Sequence, residues 1–167
     1  ASGAISPTRA GHVLASLGGR IPLIVDDGPT ALGLESTIVR VTGEAVELLR
    51  PGPVTAEELD AVAPRADGRI TAPGQLASHY APAKPLRLDA TGARDNEYLI
   101  GFGPVAGDSN LSPSANLAEA AARLFDYLHK ADASSRPAIA VAPIPEAGLG
   151  AAINDRLRRA AAPRNPS

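Results

Sequence analysis

Tyr98-Leu99-Ile100-Gly101-Phe102 and Ala138-Ile139-Ala140-Val141-Ala142 bracket a segment in which Leu117, Ala121, Leu124, Phe125 and Leu128 recur three or four residues apart. The two short apolar runs read as buried strands. The spacing between them reads as one apolar face of a helix, with Asn116 at its N-cap. Ile153, Leu157 and Ala161 repeat the helical spacing further on, and Leu86-Arg87-Leu88 supplies a strand ahead of the first run. Strand, helix, strand, helix in that order predicts a small α/β layer with parallel pairing, because a helical crossover returns the chain to pair in the same direction.

Upstream the pattern changes. From about Pro64 to Pro85 no apolar repeat survives, and Pro64, Pro73, Gly74, Pro82 and Pro85 punctuate the stretch, which predicts a linker running over a surface. Before it, Ser36 to Val41 and Ala45 to Leu49 flank Thr42-Gly43-Glu44 and read as a β-hairpin. Thr55 and Glu58 have the spacing of a capping box. Ile21 to Val25 has strand character, and Asp27-Gly28-Pro29 reads as a turn. Ser6-Pro7 predicts a helix start, with Ser6 as N-cap and Pro7 in the first helical position; Ala10, Val13, Leu14 and Leu17 would form its apolar face and Gly18-Gly19 would end it.

Composition narrows the function. The chain has 167 residues, a formal charge of −2 and 20% charged residues, which excludes a strongly basic nucleic-acid coat and an acidic solvating tail. No apolar run approaches the roughly 20 residues of a membrane span, and no basic-then-apolar leader is visible. The absence of Cys excludes disulfides, thiolate metal sites and a Cys nucleophile, and fits a reducing, cytoplasmic setting. Only Tyr80, Tyr98, Tyr127, Phe102 and Phe125 are aromatic, too few and too scattered for a base-stacking platform.

Four segments in order carry a resemblance. They are Ala1-Ser2-Gly3-Ala4-Ile5-Ser6-Pro7-Thr8, Gly33-Leu34-Glu35-Ser36-Thr37-Ile38-Val39, Leu49-Arg50-Pro51-Gly52, and Pro73-Gly74 with His79-Tyr80-Ala81-Pro82. Together they resemble the threonylcarbamoyl-AMP synthase family, the YrdC-like enzymes in their long two-domain form. Phe125 to Leu128 and Gly148 to Ala161 are similar to that form's appended domain. The resemblance implies the C-terminal part of a YrdC-like twisted-sheet α/β domain (1–63), an extended linker (64–83), and a small Rossmann- or flavodoxin-like parallel α/β domain (84–167). It implies an enzyme that joins L-threonine, bicarbonate and ATP into threonylcarbamoyl-adenylate and releases pyrophosphate, with Mg²⁺ carried by the nucleotide. A downstream tRNA-modifying transferase complex would take the product. The family's Lys-Arg motif and Ser-Ala-Asn stretch would precede Ala1, so this chain alone is expected to be catalytically incomplete.

The same resemblance makes Ser36 a threonine-binding residue, and Ser6, Arg50, Tyr80 and His79 contacts for ATP. Each has a plainer reading. Ser6 suits a phosphate at a helix N-terminus, or a simple cap. Ser36 has no local base to activate it, so it suits binding rather than covalent catalysis; with Thr37 it also suits a solvent-facing strand. Arg50 offers a planar fork matched to phosphate oxygens, or a surface salt bridge. His79 and Tyr80 suit a lid over a reactive anhydride, Tyr80 stacking on or bonding the nucleotide and His79 donating to phosphate or carbamate; Tyr80 equally suits a loop anchor. Gly148-x-Gly150 reads as a tight turn before a helix. Arg156, Arg158, Arg159 and Arg164 against Asp155 give a net of +3, which suits contact with tRNA or a partner and, more simply, a solvated helix face. His12 and His129 read as surface residues, and no protein-built metal site is expected. The rival function is an RNA-binding or regulatory module facing double-stranded RNA. A third reading makes the appended domain purely structural, holding the linker in place.

Overall fold

In the computed structural model, which describes residues 3–62, 72–74, 76 and 78–163, the helical spacing of the second half becomes two helices laid on a parallel sheet. In chain order the elements are α1 (Ala10–Leu17), β1 (Ile38–Thr42), β2 (Ala45–Arg50), a 3₁₀ turn (Glu57–Leu59), β3 (Leu86–Arg87), β4 (Glu97–Gly101), β5 (Ser109–Asn110), α2 (Leu117–Ala133), β6 (Ala138–Val141) and α3 (Leu149–Ala161). The second sheet has the order β3-β6-β4-β5, all parallel, with Leu86 opposite Ile139, Leu99 opposite Ala140 and Ile100 opposite Ser109.

α2 forms where its periodicity predicts. The Asn116 side chain accepts a bond from the Glu119 N–H at 3.0 Å, and Glu119 and Lys130 sit at the ends the helix dipole favours. Ala121, Leu124, Phe125 and Leu128 are buried, each large apolar side chain contributing about 1.5–3 kcal/mol. Alternation along the strands sends Ile100, Ile139 and Val141 into the core shared with α2 and α3. Leu99 and Ala140 turn to the other face, where they meet Ala90 and Val105. Both helices therefore cover one face, a two-layer arrangement in place of the helices on both faces that a Rossmann- or flavodoxin-like sheet carries.

The first half departs further from expectation. The hairpin forms, β1 pairing antiparallel with β2, and Val62 runs beside the second strand. The capping box forms reciprocally, Thr55 N–H to Glu58 at 2.7 Å and Glu58 N–H to Thr55 at 3.3 Å, but closes only the 3₁₀ turn. α1 starts at Ala10 and not at Pro7. Arg9 takes the N-cap position with no side-chain cap, because the Ser6 hydroxyl is engaged elsewhere. The helix ends at Gly18 as expected, Gly19 following with φ +75°, but none of its residues is buried. Ile21–Val25 is not a strand. No strand among the described residues pairs with it, and Leu23 and Val25 stand 74% and 85% exposed.

Residues 63–71, at the start of the expected linker, lie outside the described residues. Its later part does not simply run over a surface. Ala72, Tyr80 and Ala81 are buried, Ala81 donates to the Gly3 carbonyl at 2.9 Å, and Ala4 and Ala81 form a parallel bridge. Ile5 and Tyr80 join the same core as α2 and α3. The N-terminal segment and this strap are thus bound to the second sheet's helical layer.

Candidate functional site

Ser36 and Arg50 come together by register. β1 and β2 place Ile38 opposite Arg50, with a bulge after Ile38, so the residues just before β1 lie beside the end of β2. Pro51-Gly52 then breaks the strand. Gly52 packs so closely on Glu35, Ser36 and Thr37 that a side chain there would meet their backbone atoms. Arg50, 8% exposed, donates from Nε and Nη2 to the Ser36 carbonyl at 3.0 and 2.8 Å, from Nη2 to Ser36 Oγ at 3.3 Å, and from Nη1 to the Pro73 carbonyl at 3.3 Å. Its bonds are to carbonyls and a hydroxyl, and no carboxylate pairs with it among the described residues. The surface salt-bridge reading of Arg50 is therefore replaced by a buried cation held by neutral acceptors.

Glu35 organises the next layer. One oxygen accepts from the Ser6 hydroxyl and the other from Arg156 Nε at 2.9 Å. Arg156 is fully buried. It also donates to the Pro51 carbonyl at 2.7 Å, the Asp155 carboxylate at 3.0 Å and the Glu35 carbonyl at 3.3 Å. Burial acts to raise the Glu35 pKa, but the hydrogen bonds from Ser6 and Arg156 hold it below the ordinary carboxylate value. Ser6 is thus a partner of Glu35 and not a helix cap. It borders two clefts, one of about 370 Å³ shared with His12, His79 and His129, the other of about 240 Å³ shared with Glu35, Gly33 and Phe125.

The strap closes this cluster. Tyr80, 1% exposed and at φ +59°, packs its ring against Phe125 at 5.6 Å, with the His79 ring edge-on at 4.1 Å and the Arg156 guanidinium 5.4 Å from its centroid. Its ring is therefore an anchor and offers no open face for stacking on a base. The phenol oxygen lies beside Gly74, whose φ of +85° and contact with Tyr80 and Arg50 require glycine. His79 donates its backbone N–H to the Arg159 carbonyl at 3.2 Å, and its Nδ1 is buried with no partner among the described residues. Burial pushes the His79 imidazole below its ordinary value, against the pull of Glu35 and aided by Arg159, Arg156 and Arg50.

Several residues are placed differently from the sequence reading. His12 and His129 are not isolated surface residues: their rings stack at 3.9 Å. Asp126 on α2 takes Arg9 at 2.8 Å and Lys130 at 2.9 Å, with His12 at 3.7 Å. Arg156 lies in the core, and the other basic residues of α3 are paired, Arg158 with Glu146 and Arg159 with Asp155. Arg164 lies outside the described residues. This neutralised helix removes the main electrostatic support for an RNA-binding face. Gly148 opens α3 at φ +55°, the tight turn expected. Glu35 and Arg156 were missed as site residues. The signal was present for Arg156, which occupies the same helical stripe as Ala152, Ile153 and Ala160. Among the described residues no group of three or more His, Asp or Glu side chains is placed to hold a metal ion.

The fold and the site define a mixed α/β protein in which a parallel sheet's helical layer supports a buried arginine–serine pair. A family model described as "Threonylcarbamoyl-AMP synthase, C-terminal domain" matches residues 54–162, and one described as "Telomere recombination" matches residues 1–52. The chain belongs to the threonylcarbamoyl-AMP synthase family. It is 32% identical to the threonylcarbamoyl-AMP synthase of Bacillus subtilis, covering 98% of this chain and 55% of that protein, and 32% identical to that of Pyrococcus abyssi, covering 95% and 55%. The chain thus spans about half the length of the curated relatives it matches. The crystal structure of P. abyssi Sua5 complexed with L-threonine superposes with a TM-score of 0.81 at 30% identity, covering 96% of this chain and 55% of that one. A structure of P. abyssi Sua5 with alanine replacing an adjacent His-Tyr pair gives 0.78 at 28% identity, covering 95% and 54%.

Proposed function

We propose that this chain supplies part of an L-threonylcarbamoyladenylate synthase acting in tRNA threonylcarbamoyladenosine modification. The observation that carries the reading is the Arg50–Ser36 pair: a buried guanidinium with no carboxylate partner among the described residues, touching a hydroxyl, is suited to a site where an anion and a small polar molecule meet. Family membership, and the L-threonine bound to a structural relative, support threonine as the small molecule. Ser36 binds threonine. Arg50 faces the ATP phosphates, Ser6 and His79 line the neighbouring cleft, and Tyr80 anchors the strap over them. Burial disfavours the charged form of His79, and the neutral imidazole still carries one N–H suited to donation to phosphate or carbamate.

In this reading the threonine amine adds to carbon dioxide with loss of a proton, or to bicarbonate with loss of water, and forms a carbamate. A carbamate oxygen then attacks the α-phosphorus of ATP and pyrophosphate leaves, Mg²⁺ arriving on the nucleotide. The protein's part is positioning and charge neutralisation. A downstream transferase complex consumes the product in the cytoplasm. Residues 1–63 belong to the catalytic domain, 64–83 form the linker, and 84–167 form the appended domain, which we relate to flavodoxin-like sheets with one helical layer absent. The test is pyrophosphate release by the complete protein, expected only when L-threonine and bicarbonate are both present. Release independent of threonine would overturn the reading, as would robust turnover by the 167-residue chain alone.

A further inference from the structure

Arg156 lies on α3, 121 positions along the chain from Glu35, yet it is the most completely enclosed charged side chain of the site. Its guanidinium reaches the residue before Ser36 and the residue after Arg50. Nε takes the Glu35 carboxylate at 2.9 Å, Nη2 the Glu35 carbonyl at 3.3 Å, and Nη1 the Pro51 carbonyl at 2.7 Å. Asp155 holds Nη1 from behind at 3.0 Å, and the Tyr80 ring lies alongside. One rigid fork thus spans the two backbone segments that present Ser36 and Arg50, and the strap that covers them. Two acidic partners compensate its charge, so Arg156 is not free to meet a ligand. Its planar geometry is what a lysine could not reproduce, because a lysine offers a single point of attachment.

We propose that Arg156 is a positioning residue through which α3 sets the Ser36–Arg50 geometry. The proposal deepens the functional reading above and rests on it for the consequence in catalysis. The appended domain then contributes to the reaction through one side chain, without touching substrate. Loss of the fork frees Glu35-Ser36 to move relative to Arg50-Pro51, and the Arg50 bonds to Ser36 are the first casualty.

The experiment compares Arg156→Lys with Leu157→Val, a packing change one residue away on the same helix that leaves the guanidinium intact. Protection of the Arg50 Nε–H from solvent exchange, followed by nitrogen-15 NMR on this chain, reports the Arg50–Ser36 bond directly. Arg156→Lys is expected to reduce that protection about tenfold, the scale of one lost charge-assisted hydrogen bond, while Leu157→Val retains it. In the complete protein, the lysine variant is expected to raise the threonine KM about tenfold with a smaller change in kcat, and Leu157→Val is expected to leave both near wild type. Unchanged Arg50 protection in the lysine variant, or an equal loss in Leu157→Val, overturns the proposal. If complete wild-type protein releases no pyrophosphate with threonine, the functional reading fails while the exchange measurement still decides the positioning role. Should Arg156→Lys not fold, Glu35→Gln removes the carboxylate charge from the Nε contact while the two backbone bonds remain; a smaller loss of Arg50 protection in the same direction is then expected, and unchanged protection overturns the proposal.

Discussion

Arg50 holds Ser36 by its main chain more firmly than by its hydroxyl: Nε and Nη2 reach the carbonyl at 3.0 and 2.8 Å, against 3.3 Å to Oγ. The bond therefore survives replacement of the serine side chain but not replacement of the guanidinium. Arg50→Lys, which keeps the charge and loses the fork, is expected to lower stability by about 1–3 kcal/mol, the range for hydrogen bonds to a charged group. Ser36→Ala should cost about 1 kcal/mol or less. Urea denaturation of both variants checks the order; an equal cost would contradict the geometry.

Ser6 is tied to Glu35 rather than to a helix end. Ser6→Ala should leave the start of α1 unchanged and shift the Glu35 carboxyl titration upward, because one of the two side-chain bonds that hold it down is removed. Carbon-13 NMR of the glutamate carboxyls checks this. An unmoved Glu35 titration with fraying of residues 10–13 would restore the capping role.

Gly52 has no room for a methyl group beside Glu35, Ser36 and Thr37. Gly52→Ala is expected to destabilise by about 1–3 kcal/mol through overpacking against backbone that cannot yield. It should also weaken Arg50–Ser36 contact, seen as faster exchange at the Arg50 Nε–H. A Gly43→Ala control meets no neighbour, but φ +61° at that turn still costs about 1 kcal/mol.

Acid should weaken the fold in two ranges. His12 and His79 are both held below their ordinary 6.5, chiefly by burial, so folding favours their neutral forms. Their contribution is present above 6.5 and is lost as pH falls through the lowered folded values. Glu35 and Asp126 are held below 4.5 and 3.8, and Glu97 is lowered to about 2, chiefly by its hydrogen bonds from Arg87. The carboxylate contributions are complete above those ordinary values and disappear as pH falls through the depressed ones. Unfolding free energies at pH 7.5, 5.5 and 3.5 should decline at each step, with the β3–β4 side outlasting the His12–His129 stack. Constant stability from 7.5 to 5.5 would contradict the histidine assignment.

Legibility tracked how local the cause was. α2 was readable because its cap, period and dipole charges all lie within its own residues. The hairpin was readable because its turn and both strands are adjacent. β5 was invisible: Ser109–Asn110 has no apolar pattern and exists only because β4 lies beside it. Ser6 was misread because a cap and a carboxylate partner call for the same hydroxyl, and the carboxylate is 29 residues away. Arg156 reads as a surface cation by its charge and as a core residue by its position. Its place in a buried helical stripe was the stronger signal, and its partners Glu35 and Pro51 belong to the other half of the chain.

The exposed large apolar side chains of the described residues, Leu14, Ile21, Leu23 and Val25 prominent among them, all fall between positions 14 and 76, while the sheet and helices beyond them present none. Stickiness in this molecule accordingly belongs to the first half of the sequence. Concentrated solutions should associate through the amino-terminal portion, dye probes of greasy surface should light up there, and polar replacements at Leu23 and Val25 should raise solubility while leaving the melting temperature nearly unmoved.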